Sequence, residues 1–389
     1  MAAVYLDHNA SAPVPEELFP ESEKLLKQGF ANPSSIHEAG RRSRRLISEA
    51  AEHAAAFVDC DPEDVYWTSG ASESNSWALH SAVQSALEKN PSRVPRLLIS
   101  AIEHESVQLA AKALAARSDS RAELHSIPVD ADGVIRVEAL KTRLARDADW
   151  DLISVMHVNN ETGVIQPIED VVAAARSHGV PTHVDCVQTL GKIPISLKRL
   201  GANYATFSGH KIGAPKGVGF LAIQGEGKRL TALVHGKQQK GLRGGTENPV
   251  SVAMFGLVLS EMGKGRLAYP KGLEAWRDEF EAKMRDAIPG AVIHGKRARR
   301  LPNTTYVGFE GIDGDGVLMN LDLEGVAASS GSACTSGSVD PSHVLLAMGC
   351  DKAMARSSVR FSSGRNTAWP DFEKVLEVLP GIVRRMRGL

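Results

Sequence analysis

Five short segments of this 389-residue chain combine residue types at spacings that suit chemistry. Ser208-Gly209-His210-Lys211 follows an apolar run ending at Phe207. A lysine just past a strand end, flanked by Gly209 and Gly213, can reach a carbonyl ligand, and a desolvated amine forms Schiff bases. A lone lysine would read as solvated surface. Asp185 changes the odds: it closes the preceding strand candidate, 211 − 185 = 26 residues upstream. A carboxylate one strand from such a lysine can keep a pyridine nitrogen protonated, so that the ring accepts carbanion electrons. His183 and Asp185 could also be two metal ligands, but no third ligand converges on them and no metal is expected. Thr68–Asn75 (TSGASESN) ends a strand, turns at Gly70 and opens a helix with hydroxyls, which makes an anion site or an ordinary N-cap. Ser208, His210 and Thr246 could add phosphate contacts. Cys334 sits among ten small residues (329–338), a thiol on a tether rather than a packed one. Arg360, within SSVRFS, offers a planar fork for a carboxylate, or else a surface salt bridge.

Positioning these residues requires a layered fold. Short apolar runs at 65–68, 96–100, 152–158, 182–185, 204–207 and 218–223 alternate with Ala-rich amphipathic stretches at 74–89, 106–116 and 168–178. This predicts an α/β architecture with a mostly parallel sheet, whose ligands lie beyond the carboxyl ends of the strands. From about residue 263 the texture turns to a charged helix (269–287), a basic loop, short strands and a final helix (370–386). A large domain is expected over 15–262. A smaller α+β domain is expected from 1–14 and 263–389, carrying the cysteine loop at about 327–340. An acidic run at 313–324 imitates a calcium loop but places Val317 and Leu318 where an oxygen ligand and a glycine belong.

Composition removes several function classes. Forty-five Lys+Arg against 46 Asp+Glu leave no basic excess to drive nucleic-acid or membrane-surface binding. No apolar run is long enough to span a bilayer, and the first residues lack a signal-peptide pattern. Four cysteines without a CxxC pair suit a reducing compartment, so a cytoplasmic protein is expected. Cys60, Cys186 and Cys350 read as structural.

Together these segments resemble the cysteine desulfurases of the class V aminotransferase superfamily, group I, of the housekeeping or nitrogen-fixation type. The resemblance runs from about Tyr5 to the last helix and rests on SSGSACTS (329–336), SGHK (208–211), HVNNE (157–161), HVD (183–185) with Gln188, and RGGTEN (243–248). It implies the fold type I architecture, pyridoxal 5'-phosphate as cofactor and L-cysteine as substrate, with L-alanine and an enzyme persulfide as products. It further implies Lys211 as the covalent anchor and proton acceptor, and Asp185 on the ring nitrogen. His104 would stack on the ring and relay protons, with Gln188 at the phenolic oxygen. Ala71, Ser72, Ser208 and His210 would hold the phosphate, with Thr246 arriving from the second subunit of a homodimer. Asn160 and Arg360 would orient the substrate, and Cys334 would be the nucleophile that passes sulfur to an acceptor such as an iron–sulfur scaffold. Ser72 replaces the family's usual threonine but keeps its hydroxyl, and His235–Gln239 replaces a glycine-rich run. The alternatives are a selenocysteine lyase or aminotransferase on the same fold, and a non-catalytic sulfur-transfer scaffold.

Overall fold

The protein is represented by a computed structural model that describes residues 4–117, 122–147, 149–225, 230–331 and 340–388. The chain opens with β1 (Val4–Tyr5) and then builds one seven-stranded sheet. Its members are β2 (Val65–Thr68), β3 (Arg96–Ser100), β4 (Glu123–Ile127), β5 (Leu152–Met156), β6 (Thr182–Asp185), β7 (Tyr204–Ser208) and β8 (Gly219–Ile223). Their order across the sheet is β2-β8-β7-β6-β5-β3-β4. All neighbours are parallel except β8, which runs antiparallel between β2 and β7.

β5, β6, β7 and β8 are buried at every residue, as strands covered by helices on both faces must be. Trp67, Phe207, Phe220 and Phe255 pack into one aromatic cluster, with Phe207 and Phe220 stacked at 4.4 Å. The helices Glu38–Val58 and Pro249–Gly263 cross so closely that a Cβ on Gly256 would lie 2.6 Å from the Ala50 Cα. Two departures from the periodicity have clear causes. β4, of whose five residues only Ile127 is buried, lies at the sheet edge and lacks the apolar run that marks the central strands. The run at 152–158 leaves the sheet after Met156, where Val158 pairs instead with Ile165.

A second core gathers Leu6, Phe280, Met284, Val307, Phe309, Phe361, Val375 and Leu379. It lies between the antiparallel strands β9 (Ala291–Ile293), β10 (Thr304–Phe309) and β12 (Ser358–Ser362) and the helices Leu273–Ala287 and Trp369–Met386. β11 (Val326–Ala327) pairs parallel with β1, which ties the N-terminus to this body. Arg300 and Glu281 form a bidentate ion pair inside it at 2.7 and 2.8 Å. The acidic run at 313–324 is a helix start: Asp313 caps Gly314–Leu323 through the Gly316 amide at 3.1 Å. Among the described residues no helix is long and apolar enough to cross a membrane.

Candidate active site at the carboxyl edge of the large sheet

The carboxyl ends of β2, β3, β5, β6 and β7 open onto one cavity of about 460 Å³, within the range of small-molecule sites. Its walls include Ala71, Ser72, His104, Asn160, Asp185, Gln188, Ser208, His210 and Lys211. The sequence separates these residues by up to 211 − 71 = 140 positions; the parallel sheet brings them to one edge.

Lys211 lies in a single 3-10 turn directly after β7. Its Nζ donates to the carbonyls of Asn9 and Ala10 at 2.8 and 2.9 Å. Burial, helped by the charge of Arg360, brings its pKa from 10.5 down to about 8, against the pull of Asp7 and Asp185. Asp185 ends β6, the strand beside β7, and is only 5% exposed. Its Oδ1 accepts from the Val187 amide at 2.9 Å and its Oδ2 from Asn75 Nδ2 at 2.9 Å.

Two residues below, His183 is spoken for. Ser154 Oγ lies 2.8 Å from one ring nitrogen and Thr206 Oγ1 lies 3.0 Å from the other, so this histidine is a satisfied core group. Among the described residues no cluster of three His, Cys, Asp or Glu side chains could hold a metal ion.

The helix Ala71–Lys89 begins at the cavity wall, and no side chain caps its first turn. Gly70 precedes it at φ 153°, ψ −178°, a conformation available only to glycine. The free amides of such a turn attract anions. Ser208 and His210 stand beside it in the wall, and burial lowers the His210 pKa to about 4, which keeps that ring neutral.

His104 caps the helix Glu105–Ala116 through its Nδ1, which accepts from the Ser106 amide at 3.1 Å. Ser106 Oγ lies 2.9 Å from the same nitrogen and accepts from Asn75 Nδ2 at 2.9 Å. The Ser106 hydroxyl proton therefore points at Nδ1, so the ring proton belongs on Nε2. Burial lowers the His104 pKa as well. Asn75 thus joins His104 to Asp185, a link that spacing alone did not reveal. Its one trace in the sequence is its place at i+4 from Ala71, on the same helix face.

Arg360, on β12, is 3% exposed. Its Nη2 donates to Asp7 Oδ1 at 2.7 Å, and its Nη1 donates to the carbonyl of Asn160 at 2.8 Å. Its Nε, also buried, has no partner. Ser329 pairs with Arg360 backbone to backbone, so the start of the 327–340 segment is attached to this arginine. Cys334 lies outside the described residues. Thr246 is exposed and stands apart from the cavity of its own chain. Its neighbour Arg243 holds Glu73 with two bonds at 2.8 and 3.1 Å. In the altered loop, Gln239 bonds both the amide and the carbonyl of Trp67, sealing the open edge of β2.

Of the other cysteines, Cys60 and Cys186 are buried and free, and burial pushes both thiols up, Cys60 to about 12. Cys350 is half-buried and free. They have the character of packing residues.

Comparison with known proteins gives a consistent result. The family described as Aminotransferase class-V matches residues 4–375. A protein named cysteine desulfurase 2 from Trichormus variabilis is 35% identical over 389 residues, covering 100% of this chain and 95% of that one. Cysteine desulfurase IscS from Dictyoglomus turgidum is 36% identical over 391 residues, covering 99% and 96%. Among solved structures, a NifS-like protein superposes with a TM-score of 0.88 at 31% identity, covering 98% of this chain and 100% of that one.

Proposed function

Because this chain belongs to the class V aminotransferase family and stands there among cysteine desulfurases, we propose that its cavity performs that reaction. The enzyme removes sulfur from L-cysteine, giving L-alanine and an enzyme-bound persulfide, with pyridoxal 5'-phosphate as cofactor. The observation that carries this reading is the meeting of Lys211 and Asp185, from adjacent parallel strands, in one cavity with an uncapped helix start.

The donor set fits the cofactor. The free amides at Ala71 and Ser72, with Ser208 and His210, suit a phosphate. Asp185 suits a pyridinium nitrogen and Lys211 an aldehyde. Gln188 suits a phenolic oxygen, His104 a ring face, and Asn160 the remaining polar rim. Bound there, pyridoxal phosphate supplies an electron-withdrawing ring that acidifies the Cα–H bond of an attached amino acid.

The chain's own residues do the rest. Lys211 Nζ, with its pKa near neutrality, takes the Cα proton without needing a strong external base. Arg360 is assigned to the substrate carboxylate, since its Nη1 holds the carbonyl of Asn160, which lines the cavity. Cys334 then attacks the substrate sulfur as a thiolate; a sulfur–sulfur bond forms as the carbon–sulfur bond breaks, the carbon keeps the electron pair and takes a proton to become the alanine methyl group, and the persulfide is passed to an acceptor such as an iron–sulfur scaffold. Residues 15–262 form the cofactor domain, while 1–14 and 263–389 form the domain that carries the cysteine.

A homodimer completes the site through Thr246 of a second copy. Thr246 is exposed, and Phe30 and Ile36 on the same body expose 75% and 88% of their surface, apolar area that a partner would cover. Sparse free thiols suit the cytoplasm.

The test is direct. Protein loaded with pyridoxal phosphate and given L-cysteine plus a reductant should release alanine and sulfide in equal amounts, and Lys211→Ala should release neither. Formation of 3-mercaptopyruvate, with an added keto acid converted to its amino acid and no sulfide released, would reassign the reaction to transamination.

A further inference from the structure

Beside Lys211 lies a second lysine that none of these steps uses. Lys192 stands four residues beyond Gln188, and its Nζ meets two amide oxygens, Asn9 Oδ1 at 2.6 Å and Gln188 Oε1. An amine placed between two amides donates to both, whether or not it carries its third proton. Each amide must therefore turn its oxygen toward Lys192 and its nitrogen away. Asn9 uses its Nδ2 on Thr304 Oγ1 at 2.9 Å and on the carbonyl of Asn160 at 3.3 Å. Gln188 uses one Nε2 proton on the carbonyl of Asn9 at 3.0 Å. The second Nε2 proton is what Gln188 has left to offer, and Gln188 lines the cavity.

We infer that Lys192 is a positioning residue that fixes the Gln188 amide, so that Gln188 shows the cavity a hydrogen-bond donor and never an acceptor. The inference rests on the cavity being a pyridoxal phosphate site, and it specifies which oxygen is recognised there: the phenolic one, which accepts. Without Lys192 only the Asn9 carbonyl still holds the amide, and an amide that turned over would set Oε1 against the phenolic oxygen, lone pair against lone pair. The amine is suited to this place. Burial, with the charges of Lys211 and Arg360, holds its pKa well below the ordinary lysine value, and it donates to both amides in either protonation state.

Lys192→Met keeps the length of the side chain and removes the donor. Purified parent and variant proteins are stripped of cofactor and checked for folding by far-UV circular dichroism. Each is then titrated with pyridoxal phosphate by tryptophan fluorescence, and the visible absorbance of the loaded protein is followed against pH. The variant should bind the cofactor about tenfold more weakly, the size of one lost hydrogen bond. A donor at the phenolic oxygen draws electron density from the cofactor, so losing it should move the absorbance transition upward, by about one pH unit. Lys192→Gln, which keeps an N–H donor, should recover at least half of both effects. In a Gln188→Met background, Lys192→Met should add almost nothing, because the partner it acts through is gone. Unchanged affinity and an unchanged transition in Lys192→Met would overturn the inference, as would effects of full size in the Gln188→Met background. Failure of the parent itself to bind pyridoxal phosphate is a different result and removes the underlying reading instead.

Discussion

The two walls of the cavity are built in opposite ways. On the sheet wall, Asp185 stands at the end of its strand, and Lys211 and His104 stand three and four residues past theirs; only the Lys211 amine leans on the N-terminal segment, through the Asn9 and Ala10 carbonyls. His104 is held from two residues away, and Asp185 Oδ1 is held by Val187. On the junction side, Ala10 and Asn160 line the cavity, and Arg360, outside the lining itself, bonds Asp7, 353 residues earlier, and Asn160, 200 residues earlier. The Asn9 amide reaches across the same gap to Ser362 Oγ. The backbone of one wall is therefore placed by the sheet, with only the Lys211 amine reaching to the N-terminal segment, whereas the other is built where the N-terminal segment and β12 meet. On the proposed function, the chemistry belongs to the first and recognition of the substrate to the second.

Substitutions should separate the two. The largest effect belongs to the sheet wall: Lys211→Ala should lower turnover by roughly 10³-fold or more, with the fold and melting temperature retained, because it removes proton acceptor and anchor together. Loss of folding instead would place Lys211 among the structural groups. On the far side, Glu281→Ala leaves Arg300 buried without its carboxylate and should cost about 3–5 kcal/mol in urea unfolding. Arg360→Lys keeps the charge but loses the fork; KM for cysteine should rise about ten- to hundredfold while kcat falls much less. A loss confined to kcat would move Arg360 from recognition to chemistry and erase the contrast between the walls. Asp7→Asn weakens only the support of that arginine, and a rise of about two- to fivefold in KM is expected.

The pH dependence sharpens the same distinction at the small end. Because the folded Lys211 pKa is about 8 against an ordinary 10.5, the unfolded chain holds a proton in that window that the folded one has lost. Stability contributed by this group therefore rises with pH between those values. The difference in unfolding free energy between cofactor-free parent and Lys211→Met should narrow across that window. The rate of cofactor loading, which needs the neutral amine, should level off near pH 8 rather than continue to rise. A parent whose loading rate climbs steadily past pH 10 would show an ordinary exposed lysine.

This division also explains what the sequence disclosed. The strand candidates at 182–185 and 204–207 and the residues after them were legible because a parallel sheet has a strict geometry: residues past the carboxyl ends of adjacent strands must converge. His183 shows the limit of such reading, since only the cross-strand hydroxyls of Ser154 and Thr206 turn a possible ligand into a core residue. Asn9, Asn75 and Lys192 were not legible. Each works by supporting another side chain, and the partner is chosen by tertiary closure rather than by spacing. Gln239 is similar, since a glutamine that completes a sheet edge carries no local sign of doing so.

The proposed reaction moves sulfur from cysteine to position 334 through the Lys211 cavity. Loaded protein should be exposed to L-cysteine without reductant, trapped with a thiol-reactive alkylating agent and mapped by peptide mass spectrometry. One added sulfur is expected on the peptide containing Cys334 in the parent, and none in Lys211→Ala. Added sulfur on the peptides of Cys60, Cys186 or Cys350 with none at Cys334, or equal sulfur in Lys211→Ala, would contradict it.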